Sequence, residues 1–175
     1  MKPPTLARRP PAARVARKRV APAAASDVAS APSTLDKIVD AAAHLFATRG
    51  YIYSTLDDVA AHAGFTKGAV YYYFKDKESL LVQVLEHIEA RSIDTTARAV
   101  AELDGAAAKQ LETFVKFQTR WAARYPEDLA VLMLMSAETA HTSPKVRAQV
   151  QGVYAKLAAT LETIIETGKR SGEFN

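Results

Sequence analysis

Residues 54–77 read STLDDVAAHAGFTKGAVYYYFKDK, and this stretch decides the fold. Ser54 or Thr55 is placed to cap a short helix whose inward positions are Leu56, Val59 and Ala60. Asp57 and Asp58 fall in its first turn, where acids complement the positive end of the helix dipole. Gly64 ends that helix and supplies the positive φ that a tight turn between helices demands. Thr66 then caps a second short helix running through Phe74, with Val70 and Phe74 pointing inward. Two short helices joined through so few residues form a helix-turn-helix, whose second helix can lie in a DNA major groove. That second helix is polar and aromatic where a buried helix would be apolar. Thr66, Lys67, Gly68, Tyr71 and Tyr72 face outward if Val70 and Phe74 face in. Gly68 costs about 1 kcal/mol of helix stability relative to alanine, a cost that makes sense where backbone must approach DNA closely.

Outward from this core the spacing is helical in both directions. Leu35, Ile38, Val39, Ala42, Leu45 and Phe46 mark a first helix, with Ser33 or Thr34 as N-cap and Gly50 just past its end. A break at Lys75-Asp76 precedes a long fourth helix with Leu80, Leu81, Val84, Leu85 and Ile88 on one face. It is predicted to continue past Arg91 toward Leu103 and to end near Asp104-Gly105. Leu111, Phe114, Val115, Trp121 and Tyr125 define a helix closed by Pro126, and another is expected from about Glu127 to Ala140. Pro144 opens a further helix carrying Val146, Val150, Val153, Tyr154, Leu157, Leu161, Ile164 and Ile165, which is predicted to end near Gly168. No strand and no internal repeat of fixed period is found. The fold expected is all-α.

Composition agrees and excludes several classes. Of 175 residues 34 are alanine, against 7 glycines and 8 prolines, which disfavours a many-stranded sandwich or barrel. The absence of cysteine removes disulfides, thiolate metal sites and a cysteine nucleophile. No apolar run approaches the roughly 18–20 residues that span a bilayer, so no membrane association is expected. No Ser-His-Asp ordering, close carboxylate pair or phosphate loop appears, so no enzyme and no cofactor are expected. His44 and His62 lack a partner at ligand spacing, and no metal is expected.

Charge divides the chain. Residues 1–33 carry a net +6, residues 34–90 a net −3 and residues 91–175 a net +1. Six of the 8 prolines also fall before residue 33. This arm of Pro, Ala and Arg has almost no large apolar side chain, and it is read as disordered. Three uses remain open for it: a soluble leader, a cationic arm tracking DNA phosphates or a minor groove, or a targeting peptide. The domain reading is therefore a basic arm over 1–33, a helix-turn-helix domain over 34–80 and a helical regulatory domain over 81–175.

The run from Ile38 to Leu85 resembles the amino-terminal domain of the tetracycline-repressor (TetR) family of bacterial transcriptional regulators. The likeness rests on Leu45, Phe46, Gly50 and Tyr51, then Thr55, Val59 and Ala60, then Ala63-Gly64. It also rests on the (Ser/Thr)-Lys-Gly-x-(Leu/Val)-Tyr-x-x-Phe-x-x-Lys signature at Thr66, Lys67, Gly68, Val70, Tyr71, Phe74 and Lys77. The resemblance implies that Lys67 and Gly68 reach base edges, with Thr66 close to a phosphate or base. It implies that Tyr71 and Tyr72 contact phosphate or a thymine methyl face, with Tyr73 a weaker candidate. Thr55 and Lys77 would bind backbone phosphates. The family often has histidine where Tyr72 and Tyr73 stand. Plainer roles stand beside these: the tyrosines as packing, Lys77 as a solvated lysine, and Thr55 and Thr66 as N-caps compatible with phosphate contact.

The same resemblance implies a carboxy-terminal bundle that binds a small-molecule effector and forms a homodimer on a palindromic operator in double-stranded DNA. The reading heads would sit about one DNA turn apart, and the protein would be a cytoplasmic, nucleoid-associated repressor released by ligand. Its pocket candidates are Phe117, Trp121, Tyr125, Met133, Glu138 and Tyr154, with Phe114, Met135, Gln118 and His141 beside them; ordinary core is the alternative role for the apolar ones. A protein-responsive or non-responsive helical domain is the alternative for the whole half. The sequence stops at GKRSGEFN, where the family continues into two further helices that usually form the dimer interface. A fragment, pairing through another surface, or a regulator that does not pair conventionally are the readings left open.

Overall fold

A computed structural model describes residues 32–103, 105–138 and 143–175. The readings of the arm through residue 31 and of His141 lie outside the described residues.

Eight α-helices account for most of the described chain: α1 (Thr34–Arg49), α2 (Leu56–Ala63), α3 (Lys67–Tyr73), α4 (Lys77–Ile88), α5 (Thr95–Ala101), α6 (Ala107–Arg124), α7 (Pro126–Ala137) and α8 (Pro144–Ser171). No strand occurs among the described residues. Local chemistry fixes the ends. Ser33 rather than Thr34 caps α1, exchanging hydrogen bonds with Asp36 in a capping box, and Thr55 does the same with Asp58 for α2. Ser54 is instead buried, donating its hydroxyl to the Gly50 carbonyl at 2.9 Å. Asp76 caps α4 through Ser79. Pro126 and Pro144 occupy first-turn positions of α7 and α8, where a missing N–H costs nothing.

The long fourth helix differs from the sequence expectation. It is a helical rod in which six residues, Glu89–Asp94, wind as a π-helix between α4 and α5. Thr95 donates its hydroxyl to the Ala90 carbonyl five residues back, at 2.9 Å, a contact suited to the wider turn. Apolar spacing carries no mark of such a bulge. The rod also ends earlier, with α5 stopping at Ala101. The last helix runs beyond Gly168 to Ser171, where Gly172 closes it at φ 75°. Gly168 stays helical because the Phe174 ring packs on its bare backbone; a Cβ there would lie 2.1 Å from Cδ2 of that ring.

One continuous core joins α1–α3 to the rest. Ile38, Leu45 and Phe46 of α1, Val59 of α2 and Val70 of α3 pack in the same cluster as Leu80, Leu81 and Leu85 of α4. Val131 and Met135 of α7 and Val146, Val150 and Val153 of α8 extend it. Residues 32–175 accordingly form one compact unit. A smaller cluster of Val100, Phe114 and Ile164 closes the far end. There, α6 has no side-chain cap of its own, and the Glu173 carboxylate accepts the N–H groups of Ala107 and Ala108, each at 3.1 Å. No helix among the described residues is long and apolar enough to cross a membrane.

Candidate nucleic-acid interface and an arginine-lined cavity

The turn after α2 takes the predicted form: Gly64 adopts φ 73° and its N–H returns to the Ala60 and Ala61 carbonyls. The chain re-enters helix at Thr66, whose hydroxyl accepts from the Ala69 N–H at 3.2 Å. This leaves α3 anchored by Val70, fully buried, and by Phe74 at its end. Of the rest, Ala69 is half-buried, and Lys67, Gly68 and the three tyrosines are turned to solvent. Tyr72 is 83% exposed and Tyr71 52%, and Gly68 has only the Thr66 hydroxyl within 4.0 Å of where a Cβ would sit. Tyr73 is exposed as well and meets Tyr72 edge to face, with ring centroids 5.3 Å apart.

Two lysines flank this surface in different ways. Lys67 opens α3, and its ammonium sits 2.5 Å from Asp57 on α2. Asp57 raises the lysine's pKa, chiefly through that hydrogen bond. Lys77 is held more firmly. Its Nζ donates to the carbonyls of Tyr51 at 2.7 Å and Ile52 at 3.1 Å and lies 4.5 Å from the Tyr51 ring centre. Lys77 therefore pins the loop after α1, and burial lowers its pKa. An ammonium carries three donors, so one remains free. The same loop presents Ile52 and Tyr53, the latter 81% exposed. Sequence reading missed both, although an apolar-aromatic pair outside any helix face was the available signal.

The second site is a cavity of about 390 Å³ between the π-helical turn and α6. Arg91, Thr95, Phe117, Arg120, Trp121, Arg124 and Tyr125 line it. Three of the six pocket candidates, Phe117, Trp121 and Tyr125, come together there. Met133, Glu138 and Tyr154 do not line it, and helical phase is the reason. The buried face of α7 is Asp128, Val131, Leu132 and Met135, which turns Met133 outward at 62% exposure. Glu138 lies in the turn beyond α7, and Tyr154 leans from α8 to share a 2.9 Å hydrogen bond with Ser136. Phe114 and Met135 are core residues. Gln118 is spent on Ser92 and Thr96, at 3.1 and 2.9 Å.

The arginines were missed. Arg120 and Arg124 alternate with the aromatics along α6, which was the signal for them. Arg91 comes from the π-helical turn and reaches two helices: Asp40 on α1 at 2.6 Å and Asp128 on α7 at 3.4 Å. Its guanidinium also lies 4.9 Å from the Tyr125 ring centre. Asp128 is buried, and burial raises its pKa against the opposing pull of Arg91. One side chain thus belongs both to the cavity wall and to the link with α1. His44 and His62 stack at 4.9 Å, and no cluster of three or more potential metal-binding side chains occurs among the described residues.

A helix-turn-helix head that shares one core with a cavity-bearing helical body is the architecture of a DNA-binding transcription regulator. Residues 38–84 match the family described as bacterial regulatory proteins, tetR family. The chain is 31% identical over 147 residues to the HTH-type transcriptional repressor NicS of Pseudomonas putida, covering 82% of this chain and 67% of that protein. Its fold is similar to the MbdR regulator of Azoarcus sp. CIB, with a TM-score of 0.73 and 27% identity over 82% of this chain and 74% of that one. It also resembles the fatty acid degradation regulator FadR of Bacillus halodurans, with a TM-score of 0.67 and 21% identity over 82% and 71% of the two chains, a likeness of fold alone. The chain belongs to the TetR family and is a DNA-binding transcriptional regulator.

Proposed function

We propose that the protein is a repressor that docks α3 into the major groove of a palindromic operator as a homodimer and is released by a small molecule held in the cavity. Lys67 and Gly68 read base edges, and Thr66, Tyr71 and Tyr72 contact phosphates or a thymine methyl. Thr55 and the free N–H of Lys77 clamp the backbone on either side. The exposure of α3 carries this reading: a helix of seven residues with Val70 buried and three tyrosines in solvent has no packing reason to present them. The head comprises residues 34–80, the regulatory part residues 81–175, and the protein works at the bacterial nucleoid.

Release would run through Arg91. A ligand that draws its guanidinium toward the cavity loosens the bond to Asp40 and with it the seat of α1, changing the spacing of the two heads. Footprinting on the DNA flanking the gene tests the proposal. Protection of two half-sites, abolished in Lys67→Ala with Tyr71→Ala, is expected; a wild type that binds no sequence more tightly than random DNA overturns it.

A further inference from the structure

We infer that the cavity takes a small aromatic acid, its ring among Phe117, Trp121 and Tyr125 and its anionic group between Arg120 and Arg124. The inference rests on reading this cavity as the effector site. Three guanidinium groups line the cavity and no carboxylate does. Arg91 is already matched by Asp40 and Asp128. Arg120 and Arg124 form no ion pair among the described residues, although they stand four apart on one helix, where like charges repel. Each instead rests near a ring: Arg120 lies 5.5 Å from the centre of Phe117, and Arg124 lies 5.9 Å from that of Tyr125.

A guanidinium over an aromatic face keeps its planar edge of N–H donors available, the geometry that suits a carboxylate in bidentate contact. The indole Nε1 of Trp121 is a further buried donor with no acceptor among the described residues. Such orphaned donors are rare in a folded interior and take a partner from outside the chain, an ordered water or a bound group. At about 390 Å³ the cavity is in the range of small-ligand sites and has room for one or two fused rings. Three aromatic side chains on the wall favour a ring over a flexible chain. The recognition chemistry is therefore an aryl group with one carboxylate.

The test uses the full chain, in which Trp121 is the one tryptophan, so its fluorescence reports the cavity directly. Benzoate and 2-naphthoate are titrated beside benzamide and 2-naphthamide, which keep the shape and remove the charge. The acids are expected to change Trp121 emission saturably and to bind at least about tenfold tighter than the amides. Arg120→Gln with Arg124→Gln should abolish that preference. Amides that bind as tightly as the acids, or no binding by either acid, overturns the inference on the wild-type protein alone. A gel shift separates the two readings. An acid that binds but leaves operator affinity unchanged upholds the ligand class and overturns the effector role. A neutral compound that releases DNA from this cavity does the reverse.

Discussion

Asp57 on α2 holds the ammonium of Lys67, the first residue of α3, at 2.5 Å in an exposed ion pair. In the proposed docking, DNA competes with that carboxylate for the lysine. Asp57→Ala is expected to tighten operator binding severalfold at low salt, with the gain shrinking as salt is added. Lys67→Ala is expected to weaken binding by about tenfold or more, the cost of removing a base-edge hydrogen bond. Both are read by gel shift across a salt series. Tighter binding in Lys67→Ala would show that the pair has only a structural role.

Gly68 separates stability from function. Its position is helical, and an added methyl would meet only the Thr66 hydroxyl at 4.0 Å. Gly68→Ala is therefore expected to stabilise the free protein by up to about 1 kcal/mol in thermal or urea unfolding. Operator affinity should fall at the same time, because the proposed docking brings the groove against the Gly68 backbone. Unchanged affinity would remove Gly68 from the interface.

Arg91 neutralises a buried acid. Arg91→Met leaves Asp128 unpaired in the interior and is expected to cost about 3 kcal/mol, read by urea unfolding. Arg91→Met with Asp128→Leu should recover most of that stability. If recovery is seen, the double variant should also respond less to effector, since the link to Asp40 is gone.

The packing of α1 against α4 predicts an acid-side effect. His87 Nε2 lies 3.1 Å from Asp36 Oδ1, and this hydrogen bond, with those from Ser33, lowers the Asp36 pKa from its ordinary 3.8 to about 2. A depressed carboxylate stabilises the fold above its unfolded value and loses that contribution as pH falls through the folded one. The effect should therefore be complete above pH 3.8 and fade toward pH 2. Carboxyl NMR titration checks it: the Asp36 midpoint should rise toward the ordinary value in His87→Gln. Asp36 is half-exposed, so the expected change in overall stability is small.

The net +6 of residues 1–33 stands against the net −3 of residues 34–90. Removing residues 1–32 is expected to weaken DNA binding and to flatten the slope of log affinity against log salt by about 0.9 for each phosphate that the arm would otherwise neutralise. An identical slope would assign the arm no role on DNA.

The helices and their faces were legible because each boundary has a local chemical cause. Thr66, Gly64 and the two prolines announce caps and turns within a few residues of themselves. The apolar rows of α1, α4 and α8 point to the core at helical spacing. The pocket was only half legible. Phe117 and Trp121 on α6 and Tyr125 just past its end share one stripe, but Met133 and Tyr154 are apolar or aromatic without facing the cavity, and composition cannot supply the phase. Arg91 was invisible as a pocket residue because its partners lie on two distant helices, 51 and 37 positions away in sequence. The π-helical turn depends on backbone register, which side-chain periodicity does not encode.

That turn has a mechanical consequence. An α-helix advances about 100° per residue, and the wider π-helical turn takes up about one residue of that advance, so the face α5 presents is offset from the one the spacing of α4 would carry forward. Excising a single residue within Glu89–Asp94 should let the shaft close into plain α-helix with Thr95–Ala101 near its present angle, whereas excising one from Lys77–Ile88 would turn that end by roughly 100° against the head.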